Sequence, residues 1–472
     1  MLPVGLQAKT PVFTYETSDF IYDLRGYSPD DVNVGKCHQM GKLKDLIMAR
    51  WEAARAQNAI KYNLNCMYKL LPGDFNLSMQ LNVERGELRR KPQRFHRVRE
   101  SFHDKRWNFT KLEEKEILLY LRCRDRPCSS DPLDQHVLAV NNSPLERGHS
   151  LIIPSLISCQ PQVMTEASVR LATDVMLLID DDTFHVLFNS LLAQASVNHL
   201  HLHALFWPYD SDLINRKCEE LSDGMFVIRR PNWFVHTIVF QLTSAEMFDT
   251  FVRKVTKTLD YLSEAQIAHN VIFSRAQPLR TTGDVWCEDS EHSLPQLVTA
   301  YIIPRNSVVG AKPATNFNPA ALELCGCLTA YTFRFFESAT EESALRIIDE
   351  EATLPDVQFE GICAKVIDVL QGRGFRRMSI QQDTDEDVSF EPSLMDELRD
   401  SFQTFALHSP RRLFKNESRG TSSSKSPVSA FQFSFEKPQR TPIPPSPMAT
   451  TTTFTTVDSS KTESTCSQIS ES

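Results

Sequence analysis

The chain has 472 residues and 41% hydrophobic content, too many residues for one ordinary core and enough apolar ones for two domains plus a tail. A net charge of −9 argues against non-specific nucleic-acid binding, and eleven cysteines without disulfide-like or paired C-x-x-C spacing argue against a secreted framework or a zinc site. No apolar run reaches the ~18 residues of a membrane helix, and no basic-then-apolar leader is evident, so a soluble cytoplasmic protein is expected.

Residues 1–35 read as an irregular segment punctuated by Pro3, Pro11, Gly26 and Pro29. Leu43, Leu46, Ile47, Trp51 and Ala54 then form a helical stripe within 38–60. Segment 74–83 alternates like a strand and leads into a basic run containing Arg85, Arg89, Arg90, Lys91 and Arg94. In an acidic chain such a run suits a phosphate-bearing ligand, although runs of this kind are usually solvated faces. The adjoining Trp107-Asn108-Phe109-Thr110-Lys111 offers a ring to stack a base. A strand is predicted at 116–122, and a hairpin from strands 136–140 and 150–153, with Ser143-Pro144 starting the turn and Gly148 supplying a positive φ. A helix at 163–180 and a strand at 184–189 follow.

Next comes Asn198-His199-Leu200-His201-Leu202-His203. A strand has a side-chain period of two, so the three histidines are expected on one face, with Leu200, Leu202 and Ala204 in a core behind them. Imidazoles act as nucleophile, acid, base or metal ligand near neutral pH. One buried histidine is commonly a satisfied core residue; three in alternation point to chemistry. A metal site and a covalent phosphoryl or nucleotidyl transfer both remain open on the residues alone.

A second unit is predicted after a polar connection at 209–224. It has a strand at 234–242, a helix at 244–264 with Ser244 as its N-cap, strands at 270–273 and 298–303, an apolar segment at 319–336 and helices at 338–352 and 358–371. The later strand pair, ending Ile-Ile-Pro, resembles 136–154 and suggests internal duplication. The boundaries expected are an irregular segment 1–35, a first half 36–210, a second half 211–375 and a tail 376–472. The tail is rich in Ser, Thr and Pro and is expected to be disordered. Its acidic Asp383–Asp387, an apolar island (Leu394, Leu398, Phe402, Phe405) and Arg376-Arg377-Met378-Ser379 make it a candidate for protein binding or phosphorylation.

His-x-His-x-His, preceded by a helix and by Gly-His-Ser-Leu-Ile-Ile-Pro, resembles the histidine-triad superfamily of nucleotide hydrolases and transferases. Residues Asn141 to His149, Phe188-Asn189-Ser190 and Ala195 to His201 are similar to the animal GDP-D-glucose phosphorylases, with plant GDP-L-galactose phosphorylases as relatives. Gln80-Leu81-Asn82, Asn108 to Lys111 and Asn318-Pro319-Ala320 extend the likeness over roughly residues 60–370. The resemblance implies an α+β chain with a duplicated histidine-triad-like fold, an antiparallel sheet with packed helices. His203 stands where the plant enzymes have Gln, which favours GDP-glucose as substrate. The chain departs from the family at Leu191-Leu192-Ala193-Gln194, where a glycine or glycine pair is usual. Glycines there let backbone approach phosphate, so altered or weaker nucleotide binding is expected.

The resemblance further implies phosphorolysis of GDP-hexose to hexose-1-phosphate and GDP. His201 would carry a covalent GMP, while His199 and His203 bond the phosphate oxygens. Asn198, Asn189, Ser190, Arg85, Arg89 and Lys91 are the candidate substrate-binding residues; Asn198 alternatively anchors the strand, and Asn189 and Ser190 alternatively close a turn. No metal and no cofactor enter the scheme. Its partners are GDP-glucose and phosphate, with neither nucleic acid nor membrane. The alternatives are a generic histidine-triad hydrolase and a non-catalytic metal-binding or interaction protein.

Overall fold

The computed structural model describes residues 10–25, 41–126, 135–209, 211–281, 294–309 and 316–373. The Arg376–Ser379 motif, the acidic cluster, the apolar island and the rest of the tail lie outside them.

In chain order the elements are β1 (Val12–Tyr15), α1 (Lys42–Ala56), β2 (Met67–Leu71), β3 (Leu77–Leu81), α2 (Val83–Leu88), β4 (Ile117–Cys123), β5 (His136–Val140), β6 (Ser150–Ile153), α3 (Glu166–Leu178), β7 (Phe184–Asn189) and β8 (Leu202–Phe206). Then come β9 (Glu219–Ser222), β10 (Met225–Ile228), β11 (Thr237–Gln241), α4 (Phe248–Glu264), β12 (His269–Ala276), β13 (Leu297–Pro304), α5 (Ala321–Leu324), β14 (Cys327–Ala330), α6 (Phe333–Ser338), α7 (Glu341–Glu351) and α8 (Asp356–Leu370).

Eleven strands form one sheet in the order β1-β4-β5-β6-β8-β7-β12-β13-β11-β10-β9. The order repeats outward from the central antiparallel β7–β12 pair. On one side it runs β7, β8, β6, β5, β4; on the other, β12, β13, β11, β10, β9. The connecting helices α3 and α4 hold equivalent places. The duplication is therefore written in the topology, with one correction to the sequence reading. The hairpin 136–154 has its counterpart in β10 and β11, whereas β12 and β13 match β7 and β8. Apolar composition alone did not distinguish the two strand pairs.

One face of the sheet carries a core with α1, α3, α4 and α8, including Trp51, Val169, Val175, Val252, Leu259 and Phe359. The other face packs Leu205, Trp207, Val239 and Tyr301 against a second, three-stranded sheet ordered β14-β3-β2. There β14, from the second half, pairs in parallel with β3, from the first. That pairing brings residues around Asn318–Tyr331 beside α2.

β1 lies in the segment expected to be irregular, β9 in the one expected to be a polar connection, and β2 in a stretch for which no element is predicted. Most of the strand predicted at 74–83 is present as β3, and the basic run after it starts as a short helix whose N-cap Asn82 accepts from Arg85 N at 3.0 Å. Ser244 makes no side-chain cap; it precedes a 3-10 turn that delays α4 to Phe248. The largest correction concerns the histidines. β8 begins at Leu202, so His199 and His201 stand in the irregular approach to the strand and only His203 is in it. Side-chain alternation persists, because Leu200, Leu202 and Ala204 still enter the helix-side core.

Candidate active site

A cleft on the face opposite that core is lined by His149, His201 and His203, by Asn189 and Gln194, and by Arg85, Arg89 and Arg90. Trp107, Phe109, Glu323 and Tyr331 complete much of its wall. Both halves of the chain contribute.

His201 is 4% exposed. Its Nδ1 lies 2.8 Å from the His199 carbonyl and 2.9 Å from Gln162 Oε1. Both neighbours are acceptors, so Nδ1 carries the proton and Nε2 carries the lone pair. Burial pushes this imidazole down to about 4, with the backbone bond to His199 opposing it and nearby His199 and Arg90 reinforcing it. It is neutral near pH 7, the form that is a nucleophile.

His203 is tied to His149, a residue the family motif contained but to which the sequence assigned no role. Leu145 N–H donates to His149 Nδ1 at 3.0 Å, which places the His149 proton on Nε2. That nitrogen lies 3.0 Å from His203 Nδ1, which accepts its proton. His203 therefore accepts at Nδ1 and is a donor at Nε2. Desolvation, and then the Arg85 charge, hold His149 well below the ordinary histidine value; desolvation does the same for His203. Trp51 of α1 fixes the His149 carbonyl at 3.2 Å.

His199 is placed differently from the expectation. Its Nδ1 accepts from Phe109 N–H at 3.1 Å, and its ring packs between Phe102 and Phe109, away from the cleft lining. What it offers His201 is its carbonyl. Asn198 is likewise an anchor: Oδ1 accepts from Gln162 N at 2.8 Å and Nδ2 donates to Ser101 O at 2.8 Å. Ser190 closes the turn that leaves β7, its carbonyl accepting from Ala193 N at 3.0 Å and its Oγ from His269 N of β12 at 3.0 Å. Asn189 faces the cleft. Its Oδ1 accepts from Asn270 Nδ2 at 2.7 Å and Ala321 N at 3.0 Å, so Nδ2 is the end left for a ligand.

Of the basic run, Arg85, Arg89 and Arg90 line the cleft while Lys91 is exposed outside it. Arg85 donates to the Ser143 carbonyl, and Arg90 stacks on Trp107. Arg89 donates to the Asn318 side-chain oxygen at 2.8 Å, in the amide orientation that its neighbours require. Glu323 is buried, and desolvation lifts its carboxyl to about 7. Its Oε2 accepts from Ala320 N at 3.1 Å.

The unusual link 191–194 adopts the backbone that glycine favours without having glycine. Leu192 has φ 61° and Gln194 φ 76°. Leu191, Leu192 and Ala193 pack with Phe95, Val98 and Ala268, not against the cleft. Only Gln194 lines it, with an Nε2 that has no hydrogen-bond partner among the described residues.

Residues 42–205 match the profile described as GDPGP1-like, N-terminal domain, and residues 213–372 the one described as GDPGP1-like, C-terminal domain. The chain belongs to this GDPGP1-like family. It is 52% identical to GDP-D-glucose phosphorylase 1 of Caenorhabditis elegans, over 88% of this chain and 87% of that one. The human GDP-D-glucose phosphorylase 1 is 31% identical, over 68% of this chain and 82% of that one. GDP-L-galactose phosphorylase 1 of Arabidopsis thaliana is 26% identical, over 70% and 74%. Among solved structures, yeast Ap4A phosphorylase Apa2 in complex with Ap4A aligns at a TM-score of 0.46 and 15% identity, over 66% of this chain and 98% of that one. Among the described residues no helix is long and apolar enough to cross a membrane, and no three His, Cys, Asp or Glu side chains converge to hold a metal ion.

Proposed function

We propose that this chain is a GDP-D-glucose phosphorylase, converting GDP-glucose and inorganic phosphate to glucose-1-phosphate and GDP through a covalent GMP on His201. The observation that carries the reading is the state of His201. It is neutral, its proton is committed at Nδ1 to two acceptors, and it lines a cleft with three arginines. In the first step the Nε2 lone pair attacks the α-phosphorus, and the bond to the β-phosphate oxygen breaks with glucose-1-phosphate as leaving group. In the second, a phosphate oxygen attacks the same phosphorus, the P–N bond breaks and GDP departs. The histidine is regenerated neutral.

His203 Nε2–H donates to a phosphate oxygen or to the leaving oxygen, while Arg85, Arg89 and Arg90 neutralise the diphosphate. Asn189 Nδ2 is a further donor. His199 acts through its carbonyl. The scheme uses no metal or cofactor. We place the enzyme in the cytoplasm, clearing GDP-glucose made by mistake; free thiols at Cys66, Cys123, Cys159, Cys218, Cys325, Cys327 and Cys363 support a reducing compartment.

The test is a phosphorolysis assay on the purified full chain, with GDP-glucose in phosphate or in plain buffer and His201→Asn in parallel. GDP and glucose-1-phosphate formed only with phosphate, and lost in the variant, are expected. GMP in both mixtures identifies a hydrolase instead. No product from any GDP-hexose rejects both.

A further inference from the structure

Nothing in a β-ladder holds His201, because β8 starts one residue later. What holds it is Gln162, 1% exposed, in the segment leading to α3. Gln162 Oε1 accepts from His201 N at 3.0 Å and sits 2.9 Å from His201 Nδ1. Its Nε2 donates to the His201 carbonyl at 3.1 Å and to the Asn189 carbonyl at 2.9 Å. Its own N–H donates to Asn198 Oδ1. Two residues earlier, the Gln160 carbonyl accepts from Leu200 N at 2.8 Å.

The carboxamide has one orientation that satisfies this set. Nitrogen faces two carbonyls, and oxygen faces two N–H groups; exchanging them would oppose like groups at four contacts. A single buried side chain thus brackets the His201 peptide on both sides and ties it to Asn189, the other cleft-lining residue on this edge.

We infer that Gln162 is the positioning residue of the nucleophile: it fixes the place of the His201 ring and, with the His199 carbonyl, holds the proton on Nδ1 so that Nε2 stays a lone pair directed at the ligand. Its catalytic consequence rests on the reading of His201 given above, but its structural content does not. A hydrophobic side chain of similar length fills the space yet accepts no bond. Glutamate keeps the acceptor and places a carboxyl against Nδ1–H, which favours the charged imidazole. Around that ring the other titratable or charged groups are His199, His203 and Arg90.

The experiment uses full-length protein labelled with 15N-histidine, with the His201 ring resonances assigned by comparison with His201→Asn. In the native protein the Nδ1–H tautomer is expected throughout pH 5–8. An Nε2–H tautomer, or a freely exchanging mixture, overturns the inference whether or not the protein phosphorolyses GDP-glucose. In Gln162→Leu the ring is expected to become a tautomer mixture. The rate of GMP transfer to His201 should fall ~10–100-fold while KM stays within about threefold, the signature of misplaced reacting groups. In Gln162→Glu the acid limb of kcat/KM is expected to move up by about one pH unit or more, a shift that a purely structural role would not produce. Retention of the native tautomer and of kcat in Gln162→Leu, with an unmoved pH profile in Gln162→Glu, overturns the inference. A loss of phosphorolysis chemistry in the native protein, with its His201 tautomer still at Nδ1, removes the proposed function and leaves the positioning contact standing.

Discussion

His149 Nε2 lies 3.0 Å from His203 Nδ1, and because Leu145 N–H already occupies His149 Nδ1, the proton between the two rings belongs to His149. A backbone amide thereby sets the polarity of two imidazoles in series, and the second ends as a donor into the cleft. Both rings are kept neutral by burial, so donation at His203 Nε2 needs no charge. Replacing His149 by Leu removes the donor to His203 Nδ1. His203 can then protonate Nδ1, and a lone pair would face the phosphate. We expect kcat to fall about 10²-fold, within the range for a positioned acid–base group. Covalent GMP should still form on His201, slowly. Rapid-quench labelling checks this; unchanged labelling and turnover in a folded variant would dispose of the relay.

The pH behaviour follows from burial. His185, His199, His201 and His269 are pushed to about 4 and His149 and His203 well below their usual value, in each case chiefly by desolvation. Their unfolded values lie near 6.5, so below that the unfolded chain binds more protons than the folded one. Stability is fully present above about pH 6.5 and is lost as pH falls toward about 4, at up to about 1.4 kcal/mol per pH unit for each histidine. Asp174 and Glu323, whose carboxyls burial lifts to about 6 and about 7, act in the opposite sense over the same range, but six histidines outnumber two carboxyls and the melting temperature should drop between these values. His185→Leu, remote from the cleft lining, should make the decline shallower. Activity lost to His201 protonation should show an acid limb nearer pH 4–5 than 6.5. A melting temperature that is flat from pH 7 to 5 would contradict the argument.

Much of the placement of the candidate site is legible in the sequence because its signals are local. The alternation at 199–203 does put His201 and His203 opposite Leu200 and Leu202, and Arg85 and Arg89 do reach the cleft. The separation of roles within that short stretch was not legible. Phe109 N–H, ninety residues away in sequence, is what takes His199 Nδ1 out of the cleft. Gln162 sits in a segment with no periodicity to mark it, and its importance comes from four bonds to residues 27–39 positions downstream. The fold shows the same division. Strands with strong apolar runs were found, while β9, with the sequence Glu-Glu-Leu-Ser, is a strand only because β10 offers it a partner.

The basic run divides by position, and this can be measured directly. Arg85 and Arg89 line the cleft and Lys91 is exposed outside it. Arg89→Ala should lower kcat/KM for GDP-glucose by ~10–100-fold, mostly through KM, as expected for loss of a charge-assisted contact. Lys91→Ala should stay within about twofold of the native value at physiological salt. Steady-state kinetics on the two variants decides. Comparable losses would mean that the run acts as a diffuse field and not through cleft contacts.

Leu192 poses the remaining question, whether a leucine at a glycine-type position disables the site. Its φ of 61° costs of order 1 kcal/mol relative to glycine. Its side chain, however, is 7% exposed among Phe95, Val98 and Ala268, and deleting a buried leucine side chain costs about 2–5 kcal/mol. Burial outweighs backbone relief. The turn is also held by bonds that any residue can make: Ala193 N to Ser190 O at 3.0 Å, Val308 N to Leu192 O at 2.8 Å and Asn270 Nδ2 to Ala193 O at 3.0 Å. Leu192→Gly is therefore expected to lower stability by about 1–4 kcal/mol in denaturant titration and to leave KM for GDP-glucose within about twofold, because the leucine faces away from the cleft. Gln194→Ala should do the reverse, raising KM several-fold with little effect on stability, since Gln194 lines the cleft and its Nε2 has no partner among the described residues. A glycine variant that gains both stability and affinity would show that the native link is a defect rather than an equivalent solution with a side chain turned inward.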